Sequence, residues 1–405
     1  MNKTIAVCGT FDTKGTEFSY LIAQLRSFGF NVVTLDMGRY PTDYQATYPS
    51  SEVAKVAGRD LSALMDAAEG LDIMSDGAAD ILSDLVQKNK VHGVISMGGG
   101  RGTYMACRVL RKMPIGLPKV LISTCATNEG IQFYFAGIND TMVINPLVDI
   151  SGLNPILCAV MREGTACICG MINANCALET NPNTIRVGIT MWGVTTPCVD
   201  HVRELLEKQN YEVLVFHANG TGGSIMDTLV AQGYIDIVAD LTLSEITQPV
   251  CKNNLQDINA VNRMQSACKM GIPQVVAFGG IDMVHHPSTE DPDVCRGRKL
   301  YHHTAECTFY RSNAEETKRC VHFVAERLNH AKGKVTVVVP LRGTSAVNKQ
   351  GEVLYEADTN AVLSEAVHQY MNPNIQIIDL DAHINDKACA KTIADIIIQY
   401  AKELT

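Results

Sequence analysis

Short apolar runs recur along the chain, each closed by glycine or a polar residue and followed by a stretch with helical spacing. Thr4–Cys8 is the first run. Behind it, Phe18, Leu21, Ile22 and Leu25 fall on one face of a helix over Thr16–Phe28. Gly29 closes that helix, and Asn31–Leu35 reads as the second strand. A helix over Ala78–Asn89, a strand over Gly93–Met97, a helix over Gly102–Arg111 and a strand over Lys119–Ser123 continue the alternation. Strands separated by helices predict βαβ units on a parallel sheet.

The pattern restarts near Ile185. Strands are expected over Val187–Met191, Glu212–Phe216 and Ile235–Ala239, with helices over Cys198–Lys208 and Ser224–Gln232. An offset of 181 lays Ile5–Leu35 over Arg186–Phe216, and an offset of 144 lays Ala79–Met97 over Gly223–Leu241. Further strands fall over Gln274–Phe278, Lys334–Val339 and Ile375–Leu380, and a last helix over Lys387–Glu403. The polar, turn-rich stretch around 178–184 marks a boundary. The expectation is therefore an α/β protein of two Rossmann-like, doubly wound domains, 1–181 and 182–405, with a cleft between them. Met283–Arg298, polar and proline-containing, reads as a loop able to act as a lid.

Composition narrows the class. A length of 405 residues suits two domains, and 46% hydrophobic against 19% charged side chains supplies a large core. The net charge of −9 with 6% aromatics argues against nucleic acid or an anionic membrane as partner. The longest apolar region, Asn154–Leu178, is interrupted by Arg162 and Glu163 and reads as a buried helix. With no signal-peptide pattern at the start, a soluble, cytoplasmic chain is expected. Fourteen cysteines without a CxxC pair fit reduced thiols. Cys167, Cys169 and Cys176 are accordingly read as packing residues, as are Cys8, Cys107 and Cys125.

The glycines are clustered where strands end. In a parallel sheet, ligands collect at the carboxyl ends of the strands, where loops and helix N-termini expose unpaired amides. Strand one ends in Gly9-Thr-Phe-Asp-Thr-Lys14, strand two in Asp36-Met-Gly38, the third in Gly98-Gly-Gly-Arg-Gly-Thr103 and the fourth in Ser123-Thr124. Gly98, Gly99, Gly100 and Gly102 would let the backbone approach a phosphate. Lys14 would neutralise phosphate charge, while Thr10, Thr13, Thr103, Ser123 and Thr124 would donate hydroxyl hydrogen bonds. Asp36 occupies the place where such folds put a ribose-binding acid, and Asp12 is a candidate Mg²⁺ ligand. Neither GxxxxGK[ST] nor GxGxxG is present, which argues against an ordinary P-loop NTPase or NAD dehydrogenase.

The second half is richer in ionisable groups and reads as a site for a small polar or anionic ligand. Gly222, Gly223, Arg263, Arg311, Arg342 and Ser345 are candidate ligand contacts, with Arg298 as a further cation. Asp240, Glu245, Asp282 and His303 are candidate catalytic groups. The pairs His285-His286 and His302-His303 invite a metal reading, but adjacent strand residues face opposite ways, so a polar contact or solvated loop is preferred.

These residues resemble a family: the ATP-binding region of tomato-mosaic-virus-resistance-type proteins and their uncharacterised bacterial relatives. The matching segments are Gly9–Lys14, Gly98–Thr103, Pro114–Lys119, Ser123-Thr124, Asp149–Asn154, Gly220–Gly223, Gly271–Val275 and Asp282–Val284. The sequence departs from that pattern at His285 and His303, where the family has Asn, and near Cys251–Asn254. The resemblance implies two Rossmann-like domains, ATP and Mg²⁺ in the first, and self-association as a homo-oligomer. It brings no settled reaction. Three uses of the fold are thus expected to compete: an ATP-dependent activity on a small polar or anionic metabolite, a non-hydrolysing nucleotide sensor or scaffold, and a metabolite-binding enzyme without nucleotide.

Overall fold

The structure is a computed structural model that describes residues 3–64, 69–127, 135, 140–174, 181, 183–254, 258–287, 290 and 292–404. The chain divides into two compact units, Met1–Thr180 and Asn181–Thr405. The 178–184 boundary stretch and Cys176 fall largely or wholly outside the described residues.

The first unit runs β1 (Thr4–Gly9), α1 (Phe11–Ser27), β2 (Asn31–Asp36), α2 (Ser50–Val56), α3 (Gly70–Gln87), β3 (Gly93–Gly98), α4 (Gly100–Arg111), β4 (Lys119–Ser123), β5 (Met142–Ile144) and α5 (Pro155–Ala174). Its sheet is parallel throughout, in the order β2-β1-β3-β4-β5. Strand residues alternate between two cores because side chains on a strand point to opposite faces in turn. Ile5 and Val7 pack under α1 and α5 with Phe18, Leu21, Leu157 and Ile168. Ala6 and Cys8 pack under α2, α3 and α4 with Val53, Leu82 and Met105. By length and composition α5 is apolar enough to cross a membrane, but Leu157, Met161 and Ile168 are buried against the sheet, the arrangement of a core helix.

The second unit runs β6 (Arg186–Met191), α6 (Thr196–Glu207), β7 (Glu212–His217), α7 (Gly222–Ala231), β8 (Ile237–Thr242), α8 (Ser244–Cys251), α9 (Gln265–Met270) and β9 (Gln274–Gly279). It continues with β10 (Met283–Pro287), β11 (Leu300–Thr304), β12 (Cys307–Arg311), α10 (Ala314–Leu328), β13 (Val335–Pro340), α11 (Ala357–Tyr370), β14 (Gln376–Leu380) and α12 (Lys387–Leu404). The main sheet has the order β14-β13-β9-β8-β6-β7 and is again parallel. Counted along the chain within each parallel sheet, both therefore share the order 2-1-3-4-5, to which the second adds one strand. The two Rossmann-like sheets follow one plan. The offset of 144 carries β3 onto β8 residue for residue, and the offset of 181 carries β2 onto β7.

One element departs from expectation. The start of the segment read as a lid loop is a strand: β10 pairs antiparallel with β12, which pairs with β11, as a separate three-stranded sheet. His285 lies opposite Phe309, and Tyr301 lies opposite Phe309 on the other side. The histidines gave the segment a loop-like polarity, and the strand that satisfies its backbone lies too far along the chain for a local pattern to reveal.

Candidate functional site

The first sheet reverses its winding between β1 and β3, and a crevice is expected outside the carboxyl ends of those two strands. A cavity of about 290 Å³ lies there. It is lined by Thr10, Asp12, Thr13 and Lys14 after β1, by Met37 to Tyr40 after β2, and by Gly98 to Gly102 at the start of α4. Three loops from separate strands thus meet at one point, including most of the residues marked in the sequence.

The glycines have different tasks within it. A Cβ on Gly98 would stand 2.7 Å from the Cα of Gly102, so the strand end and the first turn of α4 touch backbone to backbone. A Cβ on Gly100 would meet nothing within 4 Å. Gly99 is the N-cap of α4 with no side-chain cap, and the first intrahelical bond runs from the Thr103 amide to the Gly99 carbonyl at 2.7 Å. The amides of Gly100, Arg101 and Gly102 are consequently the unpaired donors of a helix N-terminus beside the cavity.

Two expected hydroxyl contacts are corrected. Thr103 and Ser123 are fully buried, bonded to each other at 2.6 Å, and Thr103 Oγ1 also donates to the Gly98 carbonyl at 3.2 Å. They brace the glycine turn from below rather than face a ligand. Thr124 is only half-buried, and its Oγ1 lies near Gly99.

Asp36 has a structural task as well. It is 1% exposed, and its Oδ1 accepts the Phe11 amide at 3.1 Å and the Gly38 amide at 2.8 Å. Burial holds its carboxyl above the usual carboxylate range despite those two bonds. Through Oδ1 it ties the β1 and β2 loops together, and it also lines the second cavity beside Tyr40 and Tyr44. Asp12 keeps one atom in reserve: Oδ2 accepts the amides of Arg39 and Tyr40 at 3.0 and 3.1 Å, while Oδ1 is buried without a partner. Gly38 is glycine because Asp12 fills the space of its Cβ, which would lie 2.6 Å from the Asp12 Cγ.

Lys14 lines the cavity, and its ammonium donates to the Ile150 carbonyl. Arg39, Tyr40 and Arg101 line the same space, and the sequence reading did not single them out. Arg101 sits inside the Gly98–Thr103 motif, and Arg39 directly follows Gly38, so an adjacent-cation rule would have found both. A second cavity, of about 450 Å³, shares Arg39 and Tyr40 and is lined further by Asp36, Thr42, Tyr44 and Gln45. Cys8 and Cys107 are packing residues: burial pushes both thiols up to about 12.

The second unit offers an internal comparison, because its own winding reverses between β6 and β8. There the chain fills the place with its own side chains. Leu243, Ser244 and Glu245 at the start of α8 are buried, and Thr195 bonds Thr242 at 2.8 Å across the two strand ends. Arg263 is wholly buried; it donates to Glu245 Oε2 at 2.6 Å and to Asp240, which also accepts Thr190 Oγ1 at 2.7 Å. Glu245 Oε2 accepts the Gly223 amide at 2.9 Å as well. A Cβ on Gly223 would fall 2.4 Å from the Arg263 guanidinium, and one on Gly222 would fall 2.1 Å from the His217 carbonyl. These glycines make room for protein atoms. Arg263, Asp240, Glu245, Gly222 and Gly223 form one buried cluster with no face toward a ligand, correcting their reading as ligand contacts and catalytic groups.

Of the remaining second-half candidates, Asp282, Ser345 and Arg311 meet in one buried hydrogen-bond network through Thr344, Asn348 and Asn360, whereas Arg342 and His303 lie exposed. Asp282 is buried and accepts Thr344 Oγ1 and Ser345 Oγ at 2.7 and 2.6 Å. Arg311, 4% exposed, donates to Ser312 Oγ and to Asn360 Oδ1. Arg298 forks onto Glu316 at 2.6 and 3.0 Å. Arg342 forms an exposed bidentate pair with Asp381 at 2.6 and 2.7 Å. His303 is exposed on β11, its ring 5.9 Å from that of Tyr301. Among the described residues no three His, Cys, Asp or Glu side chains gather as a metal-ligand set.

His383 pins this buried network and gives it a pH dependence. Its Nδ1 accepts the Asn385 amide at 3.1 Å, so the neutral ring carries its proton on Nε2, 2.8 Å from the Ser345 carbonyl. Burial lowers its pKa below the ordinary histidine value, although Ser345, Asp386 and Asp282 oppose that shift. The unfolded chain therefore takes up this proton first, at about pH 6.5, while the folded chain does not. Stability from His383 is present above that pH and declines below it. Urea unfolding at pH 7.5 and 5.5 should show a smaller drop for His383→Gln than for the parent; an equal drop in both rules the effect out.

Comparison with known proteins places the chain as a whole. The N-terminal domain profile of the uncharacterised protein family UPF0261 matches residues 3–177, and the C-terminal domain profile matches 184–401. A UPF0261 protein of Clostridium tetani is 34% identical over 404 residues, covering 98% of this chain and 99% of that one. The ToMV resistance protein Tm-1(GCR237) of Solanum lycopersicum is 31% identical over 422 residues, covering 96% of this chain and 55% of that protein. Among solved structures, the glycosyltransferase SnogD from Streptomyces nogalater aligns over 99% of this chain and 100% of that one, with 10% identity and a TM-score of 0.22, a level at which no activity transfers.

Proposed function

The chain belongs to the UPF0261 family, and we propose that its first domain binds ATP with Mg²⁺ in the cavity at the carboxyl ends of β1 and β3. The observation that carries this reading is the contrast between two like-wound sheets: one winding reversal is open and lined by Gly98–Gly102 with Lys14, Arg39 and Arg101, the other is filled by protein side chains. Amides at a helix N-terminus and nearby cations are what a polyphosphate needs. The neighbouring cavity beside Tyr40 and Tyr44 has the aromatic edges that suit a nucleoside. Mg²⁺ carried on the phosphates would find the unpartnered Oδ1 of Asp12.

The use made of the nucleotide follows from what the rest of the chain offers. An activity on an anionic metabolite needs free cationic clamps and a free base near the phosphates. Arg263, Asp240 and Glu245 are consumed in one buried ion cluster, and Arg311 and Asp282 are already bonded to neutral side chains, Asn360 and Ser345. That favours a nucleotide-sensing or scaffold role over ATP-dependent turnover. A thermal-shift panel tests both levels: ATP·Mg²⁺ should raise the melting temperature by several degrees, and Arg101→Ala should weaken ATP about tenfold. Hydrolysis should stay at background while oligomeric state changes with nucleotide. Steady turnover would restore the enzyme reading, and no shift with any nucleotide would remove ATP from the site.

A further inference from the structure

Lys14, the cation that lines the cavity after β1, is also bonded away from it. Lys14 donates to the carbonyl of Ile150, and one helical turn later Glu17 Oε1 accepts the Gly152 amide at 2.6 Å. Both ties leave α1, and Lys14 is the point where the helical backbone breaks, with φ −130° and ψ 25°. The segment they hold runs between two left-handed residues, Leu147 at φ 65° and Gly152 at φ 71°. Ile150 is fully buried in the core with Phe11, Phe18 and Leu157, whereas Ser151 and Leu153 are exposed. Glu17 is itself 5% exposed and does not line the cavity. Beyond the segment, Pro155 begins α5.

We propose that Leu147–Leu153 is a strap that positions the Lys14 ammonium at the cavity and is tightened when a polyphosphate binds there. The proposal rests on the anion-site reading given above. An ammonium has three donors, and Ile150 takes one of them. A bound phosphate supplies charge-assisted partners for the others and removes the side chain's remaining freedom. The Ile150 carbonyl then faces a fixed donor, and the strap loses freedom with it. Coupling of this kind is reciprocal, so loosening the strap must weaken the ligand by the same factor. Glu17 is in these terms a positioning residue that acts on the ligand only through Lys14 and the strap.

Hydrogen exchange at the amides of residues 150–153 in the full chain tests this, with ATP·Mg²⁺ and inorganic pyrophosphate as probes. Exchange should slow about fivefold on saturation in the parent. In Lys14→Met the probes should still raise the melting temperature, through the α4 amides and Arg101, but strap exchange should no longer respond. Glu17→Gln should speed strap exchange without ligand and weaken both probes about threefold, which a purely structural side chain away from the cavity would not do. A melting shift without any change in strap exchange overturns the strap and leaves the binding site standing. Retention of the response in Lys14→Met, or unchanged affinity in Glu17→Gln, also overturns it. No melting shift with either probe overturns the anion site and the strap together.

Discussion

Arg263→Met is expected to destabilise the second domain by about 3–5 kcal/mol, the penalty of stranding a charge whose partner has been removed. Arg263 alone stands between two carboxylates, Asp240 and Glu245, and all three side chains are essentially unexposed. Even in the parent, Asp240 Oδ2, Glu245 Oε1 and Arg263 Nε lack a partner, so the cluster already tolerates little loss. Methionine fills much of the volume but leaves two buried anions with only Thr190, Gly223 and each other nearby. Lysine retains the charge without the fork that spans both carboxylates, so Arg263→Lys should fall between the two. Trp192, the chain's single tryptophan, is buried in this domain beside Phe309, so its fluorescence in urea reports on the second domain alone. A midpoint shift in Arg263→Met equivalent to less than about 1 kcal/mol would mean that the cluster is not a structural element, and would return Arg263 to the list of ligand contacts.

The strand–helix alternation was legible because parallel strands buried on both faces read as continuous apolar runs, and because helices with one buried face carry a 3.6-residue period. β2, β3, β4 and β9 lie within a residue or so of the spans their apolar runs predict. What stayed hidden depends on distant partners. β10 looks like loop until β12, more than twenty residues on, supplies its ladder. The glycines show the same division. Gly98 and Gly223 look alike in sequence, each in a glycine-rich turn at a helix start. The first faces its own helix beside an open cavity; the second faces Arg263, forty residues away along the chain. Arginines mislead for the same reason. Among the described residues the fold brings two carboxylates to the buried Arg263 and pairs none with the exposed Arg101, and no local pattern carries that information. Much of the ionisable character that marks the second domain lies in its interior, and the open cavity among glycine loops lies in the first.

Gly98→Ala and Gly100→Ala, two substitutions of one atom two residues apart, should have opposite effects on stability and the same sign on ligand binding. At Gly98 the new methyl would meet the Cα and carbonyl carbon of Gly102 at 2.7 and 2.8 Å and the Thr103 amide nitrogen at 3.0 Å. All three are backbone atoms, so no side chain can swing aside; β3 and α4 must part. The cost should be about 2–3 kcal/mol in the first domain, as for other overpacked sites. The displaced α4 amides should lower ATP affinity more than tenfold. At Gly100 the methyl meets nothing within 4 Å, and the helical backbone there suits alanine. Stability should hold or rise by up to about 1 kcal/mol, since glycine is the poorer helix former. Gly100 lines the cavity, however, so ATP should still bind more weakly than to the parent. The pair separates a glycine kept for packing from one kept for a ligand. Thermal melts with and without ATP·Mg²⁺ read both effects. If Gly100→Ala binds ATP as tightly as the parent, the nucleotide does not occupy the space above α4, and the cavity at the end of β3 has another use.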